Sequence, residues 1–232
     1  MSNKKSVILL SGGLDSVVSL AFVKNSYNIQ LALTFDYGQK SAAKEIEAAK
    51  KIADFYNIKQ QVIKLDWLEN ITQTALVNKN EEMPFIEKDQ LDNYELAIET
   101  AKNVWVPNRN GVFINIAASF CDSYCFTNII FGANKEEGTT FPDNTQEFID
   151  RINLSLEYST LQNPKLVAPL IELDKSEIIK KAIELKVPFN LISSCYSNLD
   201  LHCGKCESCQ RLKRGLENAG LNHVINSIFN NA

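Results

Sequence analysis

Residues 7–20 read VILLSGGLDSVVSL: an apolar run, a glycine pair set among hydroxyls, then a second apolar stretch. The first run suits a buried strand and the second has helical spacing. Between them the chain must turn sharply. Gly12 and Gly13 accept dihedrals closed to other residues and let backbone approach a ligand closely. Ser11 and Ser16 add hydroxyl donors, and a helix starting near Leu14 aims the positive end of its dipole at the same place. The pieces make a cradle for phosphate. The loop lacks the Gly-Lys-Ser/Thr ending of the Walker pattern, having Asp15-Ser16 instead, and it lacks G-x-G-x-x-G, which counts against a dinucleotide. A plainer reading also stands, because Ser11 and Asp15 are residue types that cap helices.

Working outward, short β-branched or apolar runs predict strands over 5–10, 30–36, 60–65, 128–132 and 165–168. Helical patterns fall over 14–25, 40–56, 109–124, 143–160 and 174–186. In the second of these, Ala43, Ile46, Ala49, Ile52, Ala53 and Tyr56 recur at helical spacing between lysines and glutamates. Strand and helix alternate, which favours an α/β fold with a mostly parallel sheet covered on both faces. Residues 66–108 fit this scheme worst. They are rich in Asn, Glu and Gln, contain Pro84 and Pro107, and offer one helix near 89–103. A connection this long in a compact domain reads as an insertion or lid.

The chain has 232 residues, enough for one sizeable core, and its 45% hydrophobic and 22% charged content is ordinary for a globular protein. We therefore expect a main α/β domain over 1–190 and a small region over 191–232 packed on it. A formal charge of −4 argues against broad capture of a nucleic-acid backbone. An anionic small molecule would need locally positive groups. No apolar segment approaches the roughly 20 residues that cross a bilayer. The two N-terminal lysines and short apolar run lead into SGGLDS rather than a cleavage site, so the cytoplasm is the expected compartment.

In that compartment the six cysteines are not expected to form a disulfide framework. Cys195, Cys203, Cys206 and Cys209 stand as C-x7-C-x2-C-x2-C, in SCYSNLDLHCGKCESC. Two-residue gaps let neighbouring thiolates face one centre, and Gly204 permits the tight turn between them. The pattern predicts a closed tetrahedral zinc site that stabilises a segment with little core of its own. An iron–sulfur cluster is the rival, but the fourth cysteine followed by proline is missing, and His202 is a spare ligand. Cys121 and Cys125 lie four apart in an apolar helix and read as packing residues.

SGGLDS resembles the S-G-G-x-D-S loop of the PP-loop ATP pyrophosphatases. The resemblance implies a Rossmann-like sheet in the order 3-2-1-4-5, ATP cleaved between its α and β phosphates, and a loop that grips pyrophosphate. A lysine aimed at a departing γ phosphate is then unnecessary. Further segments narrow the likeness: FDYGQ, VPNRN at 106–110, LVAPL at 166–170 with KSEII after it, VPF at 187–189, and the cysteine stretch. Together, over residues 5–215, they resemble the 7-cyano-7-deazaguanine synthase family of the queuosine precursor pathway. That likeness implies a homodimeric ATP-dependent ligase acting on 7-carboxy-7-deazaguanine and ammonia, with structural zinc and with magnesium on the phosphates.

It also implies site residues. Ser11, Asp15, Arg109 and Lys175 would be catalytic. ATP would lie against Leu10, Ser11, Gly12, Gly13, Leu14, Asp15, Ser16, Val17, Val18, Ser19 and Leu20, with Phe35 and Asp36 on the adenosine side. Asn134, Glu137 and Asp143 would face the acid substrate. The chain departs from the family here: GANKEEGTTFPDNTQEF keeps Gly132, Asn134, Pro142, Asp143, Glu147 and Phe148 of the usual pattern, but Glu137 replaces an aspartate and Asn144-Thr145 replaces Cys-Arg. Asn108 stands where glycine is usual. Two other readings remain at this point. One is a PP-loop tRNA thiolase; the other is a zinc-ribbon binding module with Lys205, Arg211, Lys213 and Arg214 as its basic patch, although such charges more often form a solvated or subunit-contact face.

Overall fold

The computed structural model describes residues 4–91 and 93–230. In chain order its main elements are β1 (Lys5–Leu9), α1 (Leu14–Val23), β2 (Asn28–Asp36), α2 (Ala42–Phe55), β3 (Lys59–Lys64), α3 (Asp66–Ile71), α4 (Tyr94–Val104), α5 (Arg109–Tyr124), β4 (Asn128–Ile130), α6 (Gln146–Ser159), β5 (Lys165–Val167), α7 (Lys175–Glu184), α8 (Glu207–Asn218) and α9 (Asn222–Ile228). The strands form one parallel sheet in the order β3-β2-β1-β4-β5.

Central β1 is apolar throughout because both of its faces are covered. Successive side chains point to opposite sides, so Ile8 joins one buried cluster while Val7 and Leu9 join the other. The first cluster takes in α1, α2, α7, α8 and α9, and the second takes in α3, α5 and α6. The chain leaves β1 towards β2 and later returns to β4 on the other flank. That reversal opens a crevice beyond the carboxyl ends of β1 and β4, where parallel α/β sheets bind ligands.

Three parts differ from the pattern read along the sequence. Among the described residues of 66–108 are α3, a short 3-10 turn over Lys88–Gln90 and α4, and Leu68, Leu76, Val77, Val104 and Val106 are buried in the second core cluster. The segment also reaches the cysteine region, where Phe85 pairs with Cys206 and the Ile86 amide donates to the Lys205 carbonyl. The helix expected over 143–160 starts at Gln146, after a short 3-10 turn opened by Pro142. Helices α8 and α9 add to the elements expected from the sequence. Cys125 is a correction: it is exposed and closes α5 in a left-handed conformation (φ 56°), while Cys121 is buried as expected.

Two glycines set how tightly the crevice closes. Gly12 has φ +83°, and a Cβ there would lie 2.8 Å from both the Ala48 Cβ and the Ala49 amide nitrogen. A Cβ on Gly132 would lie 2.9 Å from the Ser16 nitrogen, so the loop after β4 is pressed against the start of α1. Gly12→Ala therefore combines a disfavoured dihedral with overlap onto α2 backbone and should cost about 1–3 kcal/mol. Urea unfolding measures it; a midpoint within error of the parent protein would contradict the packing described.

Candidate active site

The crevice contains a chamber of ≈ 230 Å³ joined to a smaller one of ≈ 80 Å³, with Leu76, Arg109, Glu137, Asn144, Lys175, Tyr196 and Ser208 bordering both. Four helices present their first turns to the larger chamber: α1 through Leu14, Asp15 and Ser16, α5 through Arg109 and Asn110, α7 through Lys175, and α8 through Ser208. Amides in a first helical turn have no intrahelical acceptor and carry the positive end of the dipole. Four such ends make a chain of net charge −4 attractive to an anion at this one place.

The glycine loop is organised for that purpose. Ser11 Oγ accepts from the Gly13 amide at 3.2 Å and lies 3.2 Å from Ser16 Oγ, whose hydroxyl donates to the Gly13 carbonyl at 3.0 Å. Neither Ser11 nor Asp15 caps α1; the cap position is Gly13, which has no side chain to do so. Leu10, Ser11, Gly13, Leu14, Asp15 and Ser16 border the chamber. Gly12 shapes the loop from behind, and Val17, Val18, Ser19 and Leu20 are buried in α1 away from the chamber lining.

Lys175 is the first residue of α7, a helix begun by a capping box in which Asp174 accepts from the Glu177 amide at 2.8 Å and Glu177 accepts from the Asp174 amide at 2.9 Å. A buried cation at a helix N-terminus opposes both desolvation and the dipole. Two carboxylates offset this: Lys175 Nζ donates to Asp15 Oδ2 at 2.5 Å and to Glu137 Oε1 at 3.2 Å. Burial works against the ammonium, but these partners outweigh it and raise its pKa. Burial pushes the Asp15 carboxyl up to about 6 although Lys175 pulls it down. Asp15 Oδ1 is buried with no hydrogen-bond partner, an acceptor suited to a hard cation such as magnesium.

Arg109 opens α5 behind Asn108, which holds φ +49°. Glycine takes that left-handed position freely, and asparagine is the next most tolerant type. The Arg109 guanidinium donates to the Tyr37 hydroxyl at 3.4 Å and to Asn110 Oδ1 at 3.3 Å. Phe35 stacks on Phe113 with ring centroids 3.9 Å apart and planes within 4°, giving the chamber a flat apolar wall. Asp36 is placed differently: its Oδ1 accepts from the Gly38 amide at 3.3 Å and it does not border the chamber.

Beyond β4, Asn134 is fully buried, accepts from the Glu137 amide at 3.0 Å, and keeps its Nδ2 unpartnered. It braces Glu137 without bordering either chamber. Asp143 borders the smaller chamber, and burial raises its pKa. The same chamber is walled by Trp105 and Phe141, whose rings lie 6.1 Å apart with planes within 10°. Sequence reasoning missed Tyr37, Glu45, Phe113, Tyr196 and Ser208 as lining residues. Phe113 was recoverable, since it stands four residues after Arg109 on the same helical face. Arg211 corrects another expectation: its side chain is only 11% exposed, and it pairs with Glu136 at 2.8 Å and Glu207 at 2.8 Å rather than lying on a solvated face.

The four predicted metal ligands meet. The sulfurs of Cys195, Cys203, Cys206 and Cys209 all lie within 4.8 Å of one another. Cys203 Sγ and Cys209 Sγ are 3.8 Å apart, the spacing of roughly 3.8 Å that a tetrahedral ion with sulfurs at about 2.3 Å imposes. The amides of Ser197 and Cys203 donate to Cys195 Sγ, and those of Lys205 and Cys206 to Cys203 Sγ, each at 3.4 Å. Such donors favour thiolates, and four thiolates this close require a cation among them. The donor set therefore fits a bound metal ion. His202 is not turned to it: Nε2 accepts from the Ser194 amide at 3.0 Å and Nδ1 lies 3.1 Å from the Ile228 carbonyl.

Because the native Asp15 carboxyl holds its proton up to about 6, its ionised form disappears as pH falls through that value. Any reaction that needs the Asp15 carboxylate should show an acidic limb near pH 6 in kcat/KM for the nucleotide, which reports the free enzyme. Asp15→Asn should flatten that limb at a low rate. A parental profile level down to pH 5 would contradict the role.

The chain matches the family described as Queuosine biosynthesis protein QueC over residues 5–220. It is 46% identical over 220 residues to the 7-cyano-7-deazaguanine synthase of Methanosarcina mazei, covering 94% of this chain and 95% of that protein. It is 48% identical over 217 residues to the synthase of the same name from Desulforamulus reducens, with 94% and 95% covered. Among solved structures, a 4-thiouridine synthetase–RNA complex with bound ATP superposes with a TM-score of 0.50 at 18% identity, over 97% of this chain and 54% of that one, a likeness of fold alone. The span matched to the family takes in both the glycine loop and all four clustered cysteines, and the chain belongs to the 7-cyano-7-deazaguanine synthase family.

Proposed function

We propose that this chain converts 7-carboxy-7-deazaguanine and ammonia to 7-cyano-7-deazaguanine at the expense of ATP. The observation that carries the reading is that the first turns of four helices, Lys175 and Arg109 border the same chamber as the glycine loop, within the segment matched to the family. In the first half-reaction a carboxylate oxygen attacks the α phosphorus of ATP, and the bond to the β-phosphate oxygen breaks with pyrophosphate leaving. Ammonia then attacks the acyl carbon, AMP departs with the carboxylate oxygen, and a proton is released to give the amide. In the second, the amide oxygen attacks the α phosphorus of another ATP with pyrophosphate leaving, and loss of AMP and the two nitrogen-bound protons leaves the nitrile.

Each step replaces a poor leaving oxygen by a phosphate ester, so the protein's task is to position groups, neutralise charge and exclude water. Ser11, Gly12, Gly13 and Ser16 would hold the pyrophosphate. Lys175 and Arg109 would meet charge developing at the α phosphate, Arg109 through a planar guanidinium suited to two oxygens. Magnesium bound through Asp15 would neutralise the phosphates. Phe35 and Phe113 suit the adenine plane. The parallel pair Trp105 and Phe141 suits the planar deazaguanine, with Glu137 and Asp143 at its polar edge and Asn134 bracing Glu137.

Zinc is the ion that the four-sulfur donor set supports, in a structural role away from the chemistry. The same reading places the chain in the cytoplasm as a homodimer; among the described residues no helix is long and apolar enough to cross a membrane. The thiolase reading gains no support, since the clustered cysteines face one another rather than the chambers.

Protein incubated with the acid, ATP and ammonium should yield the nitrile, AMP and pyrophosphate by mass spectrometry. Label from both carboxylate oxygens should appear in AMP, one in each of two molecules. Label in inorganic phosphate with ADP formed would sink the scheme. Elemental analysis should find one zinc per chain, and Cys206→Ser should lose the metal and melt several degrees lower. Iron in its place would refute the zinc assignment.

A further inference from the structure

Helix α1 lacks a side-chain cap of its own, because its cap residue is Gly13. The missing oxygen comes from far along the chain: Ser194 Oγ accepts from the Leu14 amide at 3.2 Å. Next to it, the Ser193 amide donates to the Gly12 carbonyl at 2.9 Å. Ser193 and Ser194 both border the larger chamber beside the glycine loop. A serine oxygen that accepts one amide still has its own hydrogen to donate, and this hydroxyl stands at the mouth of an anion cradle.

Ser194 is held from the other side. Its amide donates to His202 Nε2 at 3.0 Å. The buried His202 ring lies with Nδ1 3.1 Å from the Ile228 carbonyl, which can only accept, so Nδ1 carries the hydrogen and Nε2 is the acceptor. The ring also packs on Phe229, with centroids 5.2 Å apart. Both ring nitrogens are thus committed, although Ser194 adjoins Cys195 and His202 adjoins Cys203. A histidine among four cysteines invites reading as a spare metal ligand; its bonds run to the cradle and to α9 instead.

We propose that Ser194 is a further residue of the ATP site, capping α1 and donating to the pyrophosphate end of the nucleotide, and that His202 is the positioning residue that aims it. The cysteine-bearing turn thereby meets the glycine loop through two serines, Ser193 at the Gly12 carbonyl and Ser194 at the Leu14 amide. This inference rests on reading that loop as an ATP cradle.

Binding of ATP, inorganic pyrophosphate and AMP to the metal-loaded protein by calorimetry, together with metal content and KM for both substrates, tests it. Ser194→Ala should weaken ATP and pyrophosphate at least about tenfold, leave AMP binding and KM for the acid near their parental values, and retain the metal. Ser194→Thr, which keeps the hydroxyl, should bind within about twofold of the parent. His202→Ala should show the same selective loss. Because the imidazole acts through Ser194, the double variant should be no weaker than the weaker single one. His202→Gln offers an amide oxygen to the Ser194 amide and should recover most of the affinity; if His202→Ala does not fold, this variant decides the positioning role, and its binding pyrophosphate as weakly as Ser194→Ala would overturn it. Parental pyrophosphate affinity in Ser194→Ala, equal loss of AMP, or additive effects in the double variant would each overturn the proposal. Parent protein that binds neither ATP nor pyrophosphate would instead refute the ATP reading itself.

Discussion

A lysine buried at the first turn of a helix is an expensive arrangement, and the rest of the site is organised around it. Removing the Lys175 ammonium from water is unfavourable in itself, and the positive end of α7 adds to the cost. It is tolerable only while Asp15 and Glu137 stay in contact with it. Those two acids belong to α1 and to the turn after β4, so one cation ties together three elements that border the crevice. Glu136 extends the tie, accepting the Lys175 amide at 2.9 Å and pairing with Arg211 of α8. A change at any of these positions leaves a buried charge without its partner, which is the costly way to break an ion pair.

That arrangement also explains how an acidic chain can hold a polyanion. The carboxylates near the crevice are engaged: Glu137 and Asp15 by Lys175, Glu136 and Glu207 by Arg211, and Glu45 by Ser41 and Gln39. Their repulsion is thereby spent on internal partners. The first turns of four helices border the chamber, together with the Lys175 ammonium and the guanidinium of Arg109. Fixed dipoles in a partly enclosed site cost no reorganisation when charge develops, and they act more strongly there than in water.

The cysteine region serves the same centre. Cys195, Cys206 and Cys209 share a buried cluster with Ile8 and Leu10 of the first strand and its turn, together with Leu212, Leu216, Ile225 and Phe229. The metal-binding turn is thus continuous with the main core, and it supplies Ser193 and Ser194 to the glycine loop. A metal ion held by these four sulfurs would stiffen the turn and with it the serines that meet the glycine loop.

The sequence by itself determined the layered α/β plan, because strand and helix periodicities are local and the apolar runs of this chain are clear. It also made the glycine loop and the cysteine cluster legible, since Gly12, Gly13 and the four cysteines act through short spacings. Arg109 and Lys175 were legible as helix-start cations, though not their partners. Tertiary structure alone decided that Asp36 turns towards Gly38, that Arg211 is buried against Glu136, and that residues 66–108 fill a core face. It alone brought Lys175 to Asp15 and Ser194 to Leu14, contacts 160 and 180 residues apart in the chain. The physical reason is range: periodicity and turn chemistry speak for about ten neighbours, whereas the pairing of buried charges depends on which distant surfaces the whole fold presses together.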